Sequence, residues 1–173
     1  NSMGTEVTIV EFMPNIVPVE DEDISKQMER SMKKAGVNIM TNASVERIDT
    51  TRNGVKAFVK TAKGEEILEA DVLLSAVGIK TNIENIGLEE VGIATDRDKI
   101  LVNAYNQTNI PGYYAIGDIT PGQALAHVAS AEGINCVEKI AGMHVEPIDY
   151  GNVPGCTYAT PEIASVGLTE KAA

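Results

Sequence analysis

An early strand, helix and strand pattern constrains the fold of this chain more than any other feature. A β-branched run at residues 7–11 predicts a buried strand, and it ends in the carboxylate of Glu11. A helix is predicted from about Asp23 to Gly36, and residues 37–40 predict the next strand. The apolar face of this helix is predicted to comprise Ile24, Met28 and Met32. This order favours a right-handed parallel crossover, as in doubly wound α/β folds.

Beyond residue 44 the apolar pattern changes from helical spacing to alternation. Short runs separated by Asn53-Gly54 and Lys63-Gly64 predict a small antiparallel meander. Further strands are predicted at residues 70–78, 100–102 and 113–118, and strand-like tail pieces at residues 156–159 and 164–167. An alanine-rich helix is predicted over residues 124–140, before Gly142.

Composition excludes several classes of function. The chain has 14 basic and 25 acidic residues, a formal net charge of −11, which opposes binding to nucleic acid or to anionic membranes. It contains no apolar stretch of the roughly 18–20 residues that cross a bilayer, and its first residues lack the organisation of a signal peptide. We therefore expect a cytoplasmic protein without nucleic-acid or membrane partners.

The two cysteines, Cys136 and Cys156, match neither a Cys-x-x-Cys redox motif nor a zinc knuckle. Together with His127 and His144 their spacing is irregular, so no metal site is expected. We predict that both thiols are buried and inert.

Glu11 is the first candidate binding residue. A carboxylate at the end of such a strand can accept both ribose hydroxyls of adenosine, and it repels a 2′-phosphate, so it selects NAD over NADP. An exposed acid at a strand end is the alternative. The glycine fingerprint of a dinucleotide site lies roughly 20 residues before such an acid, yet ten residues precede Glu11 and the chain contains no Gly-x-Gly. Either the fold is different or the chain begins after that loop.

Gly117 and Asp118, which precede the predicted alanine-rich helix, form the second candidate site. Glycine lets the backbone approach a ligand closely, Asp118 can accept a polyol hydroxyl, and the first helical turn offers backbone N–H groups. Asp118 as a cap of the next element is the alternative. His127 is interpreted as a packed or capping residue rather than a catalytic base.

Several motifs, in order along nearly the whole chain, resemble those of the flavin-dependent pyridine nucleotide-disulfide oxidoreductases, and within them the dihydrolipoyl dehydrogenase branch. These motifs are Val10-Glu11, Ala76-Val77-Gly78, Tyr114-Ala115-Ile116-Gly117-Asp118, Leu125-Ala126-His127, Ala131-Glu132-Gly133, Tyr158-Ala159-Thr160-Pro161-Glu162 and Val166-Gly167. The resemblance implies an α/β chain with a partial Rossmann-like FAD/NAD(P)-binding fold, in which a doubly wound parallel sheet carries a small antiparallel meander. The start of an α+β dimerisation domain follows.

The same resemblance implies three domain parts. Residues 1–84 would be the C-terminal part of an NAD-binding domain, residues 85–150 the central FAD-binding region, and residues 151–173 the start of the dimerisation domain. We therefore expect the chain to be an internal segment of a longer protein.

The resemblance also assigns residues to cofactors. Those implied for NAD are Glu11, which would bind the adenosine ribose, Val45 and Gly78. Those implied for FAD are Asp118, which would bond the ribitol chain, and Ala124, Leu125, Ala126 and His127, which would place helix N–H groups near the flavin's pyrimidine edge. Glu132 is left open between a local support and an ordinary helix acid.

The resemblance further implies that the intact protein would oxidise dihydrolipoamide on a lipoyl carrier protein of a 2-oxo acid dehydrogenase or glycine-cleavage complex. It would pass the electrons to FAD, reduce NAD and act as a homodimer. The Cys-x4-Cys pair and C-terminal His-Glu pair of the family are absent from these 173 residues, so the segment alone is expected to be inactive. Another flavin disulfide reductase, of the mercuric or glutathione type, is the first alternative. A naturally short, non-catalytic dinucleotide-binding or interaction module is the second.

Overall fold

The computed structural model describes residues 1–173, which form two compact units. The first unit contains residues 1–76 and 154–173, and the second contains residues 77–153. In chain order the elements are β1 (Thr8–Val10), α1 (Glu22–Lys34), β2 (Asn38–Met40), β3 (Ser44–Thr51), β4 (Gly54–Thr61), β5 (Gly64–Ala70), α2 (Leu88–Val91), β6 (Thr95–Asp96), β7 (Lys99–Ile100), α3 (Ala126–Ile140), β8 (Gly155–Thr157) and β9 (Ile163–Ser165). No helix is both long and apolar enough to span a membrane.

The predicted parallel crossover is confirmed in the first unit. β1 and β2 pair in parallel, with Ile9 opposite Ile39, and α1 connects them. The helix ends because Gly36 adopts a φ of 88°, and the N–H groups of Gly36 and Val37 donate to the carbonyls of Lys33 and Met32, both at 3.0 Å. This double hydrogen bond is a Schellman motif, which reverses the chain into β2.

The buried face of α1 differs from the predicted one. Met28 is 1% exposed and packs with Ile16 and Ile163 in the first core cluster, but Ile24 is 42% exposed. Ser25 takes the expected place of Ile24, because its hydroxyl donates to the carbonyl of Val17 at 3.1 Å and its polarity is thereby satisfied. The loop after β1 is therefore fastened to the helix.

The predicted antiparallel meander is also confirmed. β3, β4 and β5 pair in that order, and their turns lie at the two predicted Asn-Gly and Lys-Gly positions. A second core cluster of Ala43, Ala57 and Val59 packs against Val10 and Met40, the last residues of β1 and β2. The meander thus packs against the carboxyl end of the β1–β2 pair.

The strand predicted at residues 70–78 is wrong beyond Ala70, where β5 ends. Val72, Leu74 and Val77 are 81%, 86% and 95% exposed, and no strand pairs with this segment. The apolar composition favoured a strand, but a strand needs hydrogen-bonding neighbours, and none of the described strands pairs with this segment.

The second unit contains less regular structure than predicted. The strand at residues 100–102 is reduced to the two-residue β7, which pairs with β6. Residues 113–118 form a single bridge between Tyr114 and Gln107, followed by a 3-10 turn over Gly117–Ile119. The alanine-rich helix is confirmed as α3, and Gly142 ends it with a second Schellman motif.

The two thiols have different environments. Cys136 in α3 is buried, as predicted, whereas Cys156 in β8 is exposed, so that part of the prediction is wrong. β8 and β9 form a two-stranded antiparallel sheet, in which Cys156 lies opposite Ala164. No group of three or more histidine, cysteine or acidic side chains is placed to hold a metal ion.

Candidate functional site

Glu11 lies immediately after β1, where the backbone fixes its position from both sides. Its N–H donates to the carbonyl of Met40 at 2.8 Å, and its carbonyl accepts from the N–H of Ala43 at 3.0 Å. Its side chain turns over the following loop, because Oε1 accepts a hydrogen bond from the N–H of Met13 at 2.8 Å. The half-buried carboxylate therefore has a defined orientation at the end of the parallel pair.

Val45 lies beside this carboxylate turn. It follows two residues after Ala43, which is bonded to Glu11, and it pairs with Val59 across β3 and β4. Its side chain is 41% exposed, so it offers apolar surface two residues from the hydrogen bond between Ala43 and Glu11. Both residues predicted for NAD in the first unit thus lie close in the chain to this one hydrogen bond.

Gly78, the third residue predicted for NAD, belongs to the second unit. It is exposed, with a φ of 114°, and an added Cβ would meet no atom within 4 Å. Its backbone conformation rather than neighbouring atoms is what favours glycine there.

The Asp118 turn, defined as residues 117–120, is held by several hydrogen bonds within the second unit. Gly117 has a φ of 75°, and the N–H and hydroxyl of Thr120 donate to its carbonyl at 2.9 and 2.8 Å. Lys99 Nζ donates to the carbonyl of Asp118 at 2.5 Å. The backbone of the turn is thus fixed on both sides, while the Asp118 side chain remains exposed.

Glu132 completes the support of this turn, and sequence reasoning did not settle its role. It is 2% exposed, and its Oε2 accepts from the N–H of Gly117 at 2.6 Å. Its Oε1 accepts from the hydroxyl of Tyr150 at 2.7 Å. Burial, together with the hydrogen bond to and the negative charge of Glu132, raises the pKa of Tyr150 to about 12. Of the two interpretations left open, the structure favours the local support.

A sequence signal for Glu132 exists in retrospect. Val128, Glu132 and Cys136 are the buried residues of α3, and they are spaced four residues apart on one face. A single acid within an otherwise apolar helical face indicates a buried carboxylate with partners, because an unpaired buried charge is costly. Tyr150 and Lys99 carry no comparable signal.

The start of α3 corrects one detail of the predicted flavin site. The helix begins at Ala126, because Leu125 is still extended, with φ −132° and ψ 136°. Ala124 and Leu125 therefore precede the helix, whereas Ala126 and His127 lie in its first turn. Leucine is a poor N-cap residue, and the Leu125 side chain makes no cap hydrogen bond. The first-turn N–H groups have no acceptor within the helix and can face a ligand.

Comparison with known proteins decides the family. The model of the pyridine nucleotide-disulphide oxidoreductase family matches residues 1–133. The chain belongs to this family. It is 48% identical over 171 residues to the dihydrolipoyl dehydrogenase of Rhizobium etli, and 46% identical over 172 residues to the mitochondrial dihydrolipoyl dehydrogenase 1 of Arabidopsis thaliana. Each alignment covers 98% of this chain but 36% and 34% of the relatives, so the chain spans about a third of their length.

Solved structures agree with this assignment to the pyridine nucleotide-disulphide oxidoreductases. LpdA from Mycobacterium tuberculosis superposes with a TM-score of 0.89 at 30% identity, over 98% of this chain and 36% of that protein. The HOCl-induced flavoprotein disulfide reductase RclA from Escherichia coli superposes with a TM-score of 0.87 at 30% identity, over 98% and 38%. The predicted partial Rossmann-like α/β fold is therefore confirmed.

Members of this oxidoreductase family use FAD and NAD. The described residues fit such groups. Asp118 is an exposed acceptor suited to a polyol hydroxyl, and the start of α3 suits an electron-rich ring edge. Glu11 Oε2 remains available to ribose hydroxyls while Oε1 is bonded to the loop.

Proposed function

We propose that this chain supplies part of the NAD site and part of the FAD site of a dihydrolipoyl dehydrogenase. The observation that carries the proposal is the Asp118 turn, whose backbone is fixed by Glu132, Lys99 and Thr120 while the Asp118 carboxylate is left exposed. A rigid turn with a solvent-facing acid, followed by a helix, suits the ribitol and ring portions of a flavin.

On the FAD side, Asp118 accepts a hydrogen bond from a ribitol hydroxyl and so orients the chain that carries the ring. Residues 124–127 bring the start of α3 to the pyrimidine edge. The positive end of the helix stabilises negative charge there, because the N–H groups of its first turn are aligned along the helix axis. Bound FAD supplies the electron transfer between a dithiol and NAD.

On the NAD side, Glu11 accepts the ribose hydroxyls of adenosine and repels a 2′-phosphate. Val45 provides an apolar surface for the adenine. Gly78 lets NAD pass close to the backbone, which its positive φ and lack of a side chain permit.

The whole protein is proposed to oxidise dihydrolipoamide on a lipoyl carrier protein of a 2-oxo acid dehydrogenase or glycine-cleavage complex, to reduce NAD and to act as a homodimer. The dihydrolipoyl dehydrogenase relatives support this assignment. The 173 residues alone are proposed to be inactive, because they contain no Cys-x4-Cys pair to react with the substrate. A cytoplasmic location stays a prediction, for which the mitochondrial relatives of Arabidopsis mark the alternative.

A second candidate function is that of another flavin disulfide reductase, which the superposition on RclA favours. Comparing lipoamide with other disulfides as substrates of the complete gene product separates the two functions. Preferential NAD-linked turnover of lipoamide supports the first. Turnover of another disulfide without lipoamide activity supports the second.

Cofactor preference tests the role of Glu11. In the complete gene product that contains this chain, Glu11→Arg is expected to shift the ratio of kcat/KM for NAD over NADP by at least about tenfold, or about 1.4 kcal/mol, toward NADP. Glu6→Arg is the matched control, since Glu6 is exposed and precedes β1. An unchanged ratio in Glu11→Arg would remove Glu11 from the site.

A further inference from the structure

The buried carboxylate of Glu132 connects α3 to two segments that are remote from it in sequence. Gly117 lies 15 residues before it and Tyr150 lies 18 residues after it, and each donates one hydrogen bond to one of its oxygens. Both donors are fixed groups, a backbone N–H and a phenol. Glu132 is therefore satisfied on both oxygens without any cation, which is unusual for a carboxylate that is 2% exposed.

Tyr150 reaches a second point on the same loop. An added Cβ at Gly122 would lie 3.4 Å from Cε1 of Tyr150, so the ring packs directly against the Gly122 backbone. Gly122 has a φ of 127° and lies between the Asp118 turn and the start of α3. Glu132 at Gly117 and Tyr150 at Gly122 thus contact the two ends of one loop, residues 117–122.

The hydrogen bonds have a fixed direction. Because the raised pKa of Tyr150 keeps its phenol protonated well above neutral pH, its hydroxyl donates and Glu132 accepts. Neither residue needs to touch a ligand for this arrangement to matter. The exposed side chain of Asp118 lies on the loop whose ends they fix.

We propose that Glu132 and Tyr150 are positioning residues for the flavin, which fix the loop of residues 117–122 so that Asp118 meets the ribitol chain. This inference rests on the proposed FAD site at Asp118. It assigns to two residues outside that site the task of setting its geometry, so loss of either weakens flavin binding without removing a flavin contact.

The test measures FAD binding to the apoprotein of the complete gene product. Glu132→Ala is expected to raise the Kd for FAD about tenfold, because it leaves the Gly117 N–H and the Tyr150 hydroxyl without an acceptor. Glu132→Gln is expected to restore binding to within about threefold, since an amide can accept from Gly117 and donate to the phenol oxygen. Tyr150→Phe is expected to weaken binding about threefold, the cost of one hydrogen bond.

Three controls separate positioning from a general loss of stability. Glu138→Ala, on the same helix, is expected to leave the Kd for FAD unchanged. The Kd for NAD is expected to be unchanged in all variants, since the hydrogen bonds of Glu132 and Tyr150 reach none of Glu11, Val45 and Gly78. The visible circular dichroism of bound FAD is expected to change in Glu132→Ala and to return in Glu132→Gln.

A double variant tests whether Glu132 acts through Asp118. If it does, Asp118→Ala combined with Glu132→Ala binds FAD within about twofold of Asp118→Ala alone, because coupled residues are not additive. Fully multiplied effects, or an unchanged Kd in Glu132→Ala, would overturn the inference while Asp118→Ala still weakens binding. An unchanged Kd in Asp118→Ala would instead overturn the proposed FAD site itself. If Glu132→Ala does not fold, Tyr150→Phe decides, and normal FAD affinity in Tyr150→Phe overturns the inference.

Discussion

Two turns of this chain present a carboxylate, and they are held in different ways. The Glu11 turn continues a parallel strand pair, with backbone hydrogen bonds to Met40 and Ala43. The Asp118 turn follows a segment with a single bridge, and side chains of Lys99 and Glu132 hold its backbone. Strand pairing fixes the Glu11 turn through backbone N–H and C=O groups, which do not depend on the side chains. The Asp118 turn depends on particular side chains. We therefore expect the second turn to be the more sensitive to substitution of polar residues.

The largest expected loss of stability comes from the apolar core that packs against the β1–β2 pair. Met28→Ala is expected to lower the free energy of unfolding by about 2–5 kcal/mol, because Met28 is 1% exposed and belongs to a core cluster against which Ile9 of β1 and Ile39 of β2 pack. Urea denaturation followed by circular dichroism measures the change. Met3→Ala is the matched control, as Met3 is 94% exposed. Equal effects of the two substitutions would contradict a core beneath the ladder.

The second-largest loss of stability is expected from the backbone of the Asp118 turn. Gly117→Ala is expected to cost about 1–2 kcal/mol of folding free energy, because alanine is strained in the left-handed region. The added Cβ would also lie 3.3 Å from Cβ of Ala129. Gly155→Ala, where the φ is not positive and no atom lies within 4 Å, serves as the control in the same denaturation assay. A neutral Gly117→Ala would show that the turn is not fixed as described.

Polar side chains then test the comparison directly. Lys99→Met removes the donor to the Asp118 carbonyl and is expected to cost about 1 kcal/mol of folding free energy. Glu11→Gln is expected to cost less, because an amide oxygen still accepts from Met13 and the ladder remains. Lys63→Met, at an exposed turn, controls for loss of a lysine. A larger cost for Glu11→Gln than for Lys99→Met would reverse the comparison.

The smallest expected effect is a pH dependence from Tyr150. Its pKa is raised from 10.0 to about 12 in the folded state, so its protonated phenol stabilises the fold fully below pH 10. That contribution is lost as the pH rises toward 12. The difference in unfolding free energy between the parent and Tyr150→Phe should therefore shrink over this interval. Tyr158→Phe, at an 87% exposed ring, should show no such change.

The parts of the fold that sequence reasoning predicted are those with a local pattern. The β1, α1 and β2 crossover and the meander follow from periodicity and from glycine at turns. The same reasoning predicted a strand at residues 70–78, which is wrong beyond residue 70. Strand formation depends on a pairing neighbour and not on composition alone. The candidate residues Glu11 and Asp118 were identified from their place after apolar runs.

The support of the Asp118 turn was not predictable in the same way. Lys99 lies 19 residues before Asp118, and Tyr150 lies 18 residues after Glu132, with no periodic relation between them. Such contacts depend on the path of the chain between elements. The spacing of Glu132 with Val128 and Cys136 was the one local indication that this acid is buried.

The unequal exposure of the two cysteines provides a way to measure local opening of the chain. Cys136 shares the buried face of α3 with Glu132, and burial raises the pKa of its thiol, whereas Cys156 is exposed. A thiol reagent should therefore modify Cys156 at once and Cys136 only when the helix moves away from its neighbours. The ratio of the two labelling rates would report how often α3, which supports the proposed flavin loop, moves away from its neighbours. The fast-reacting Cys156 serves as the internal standard.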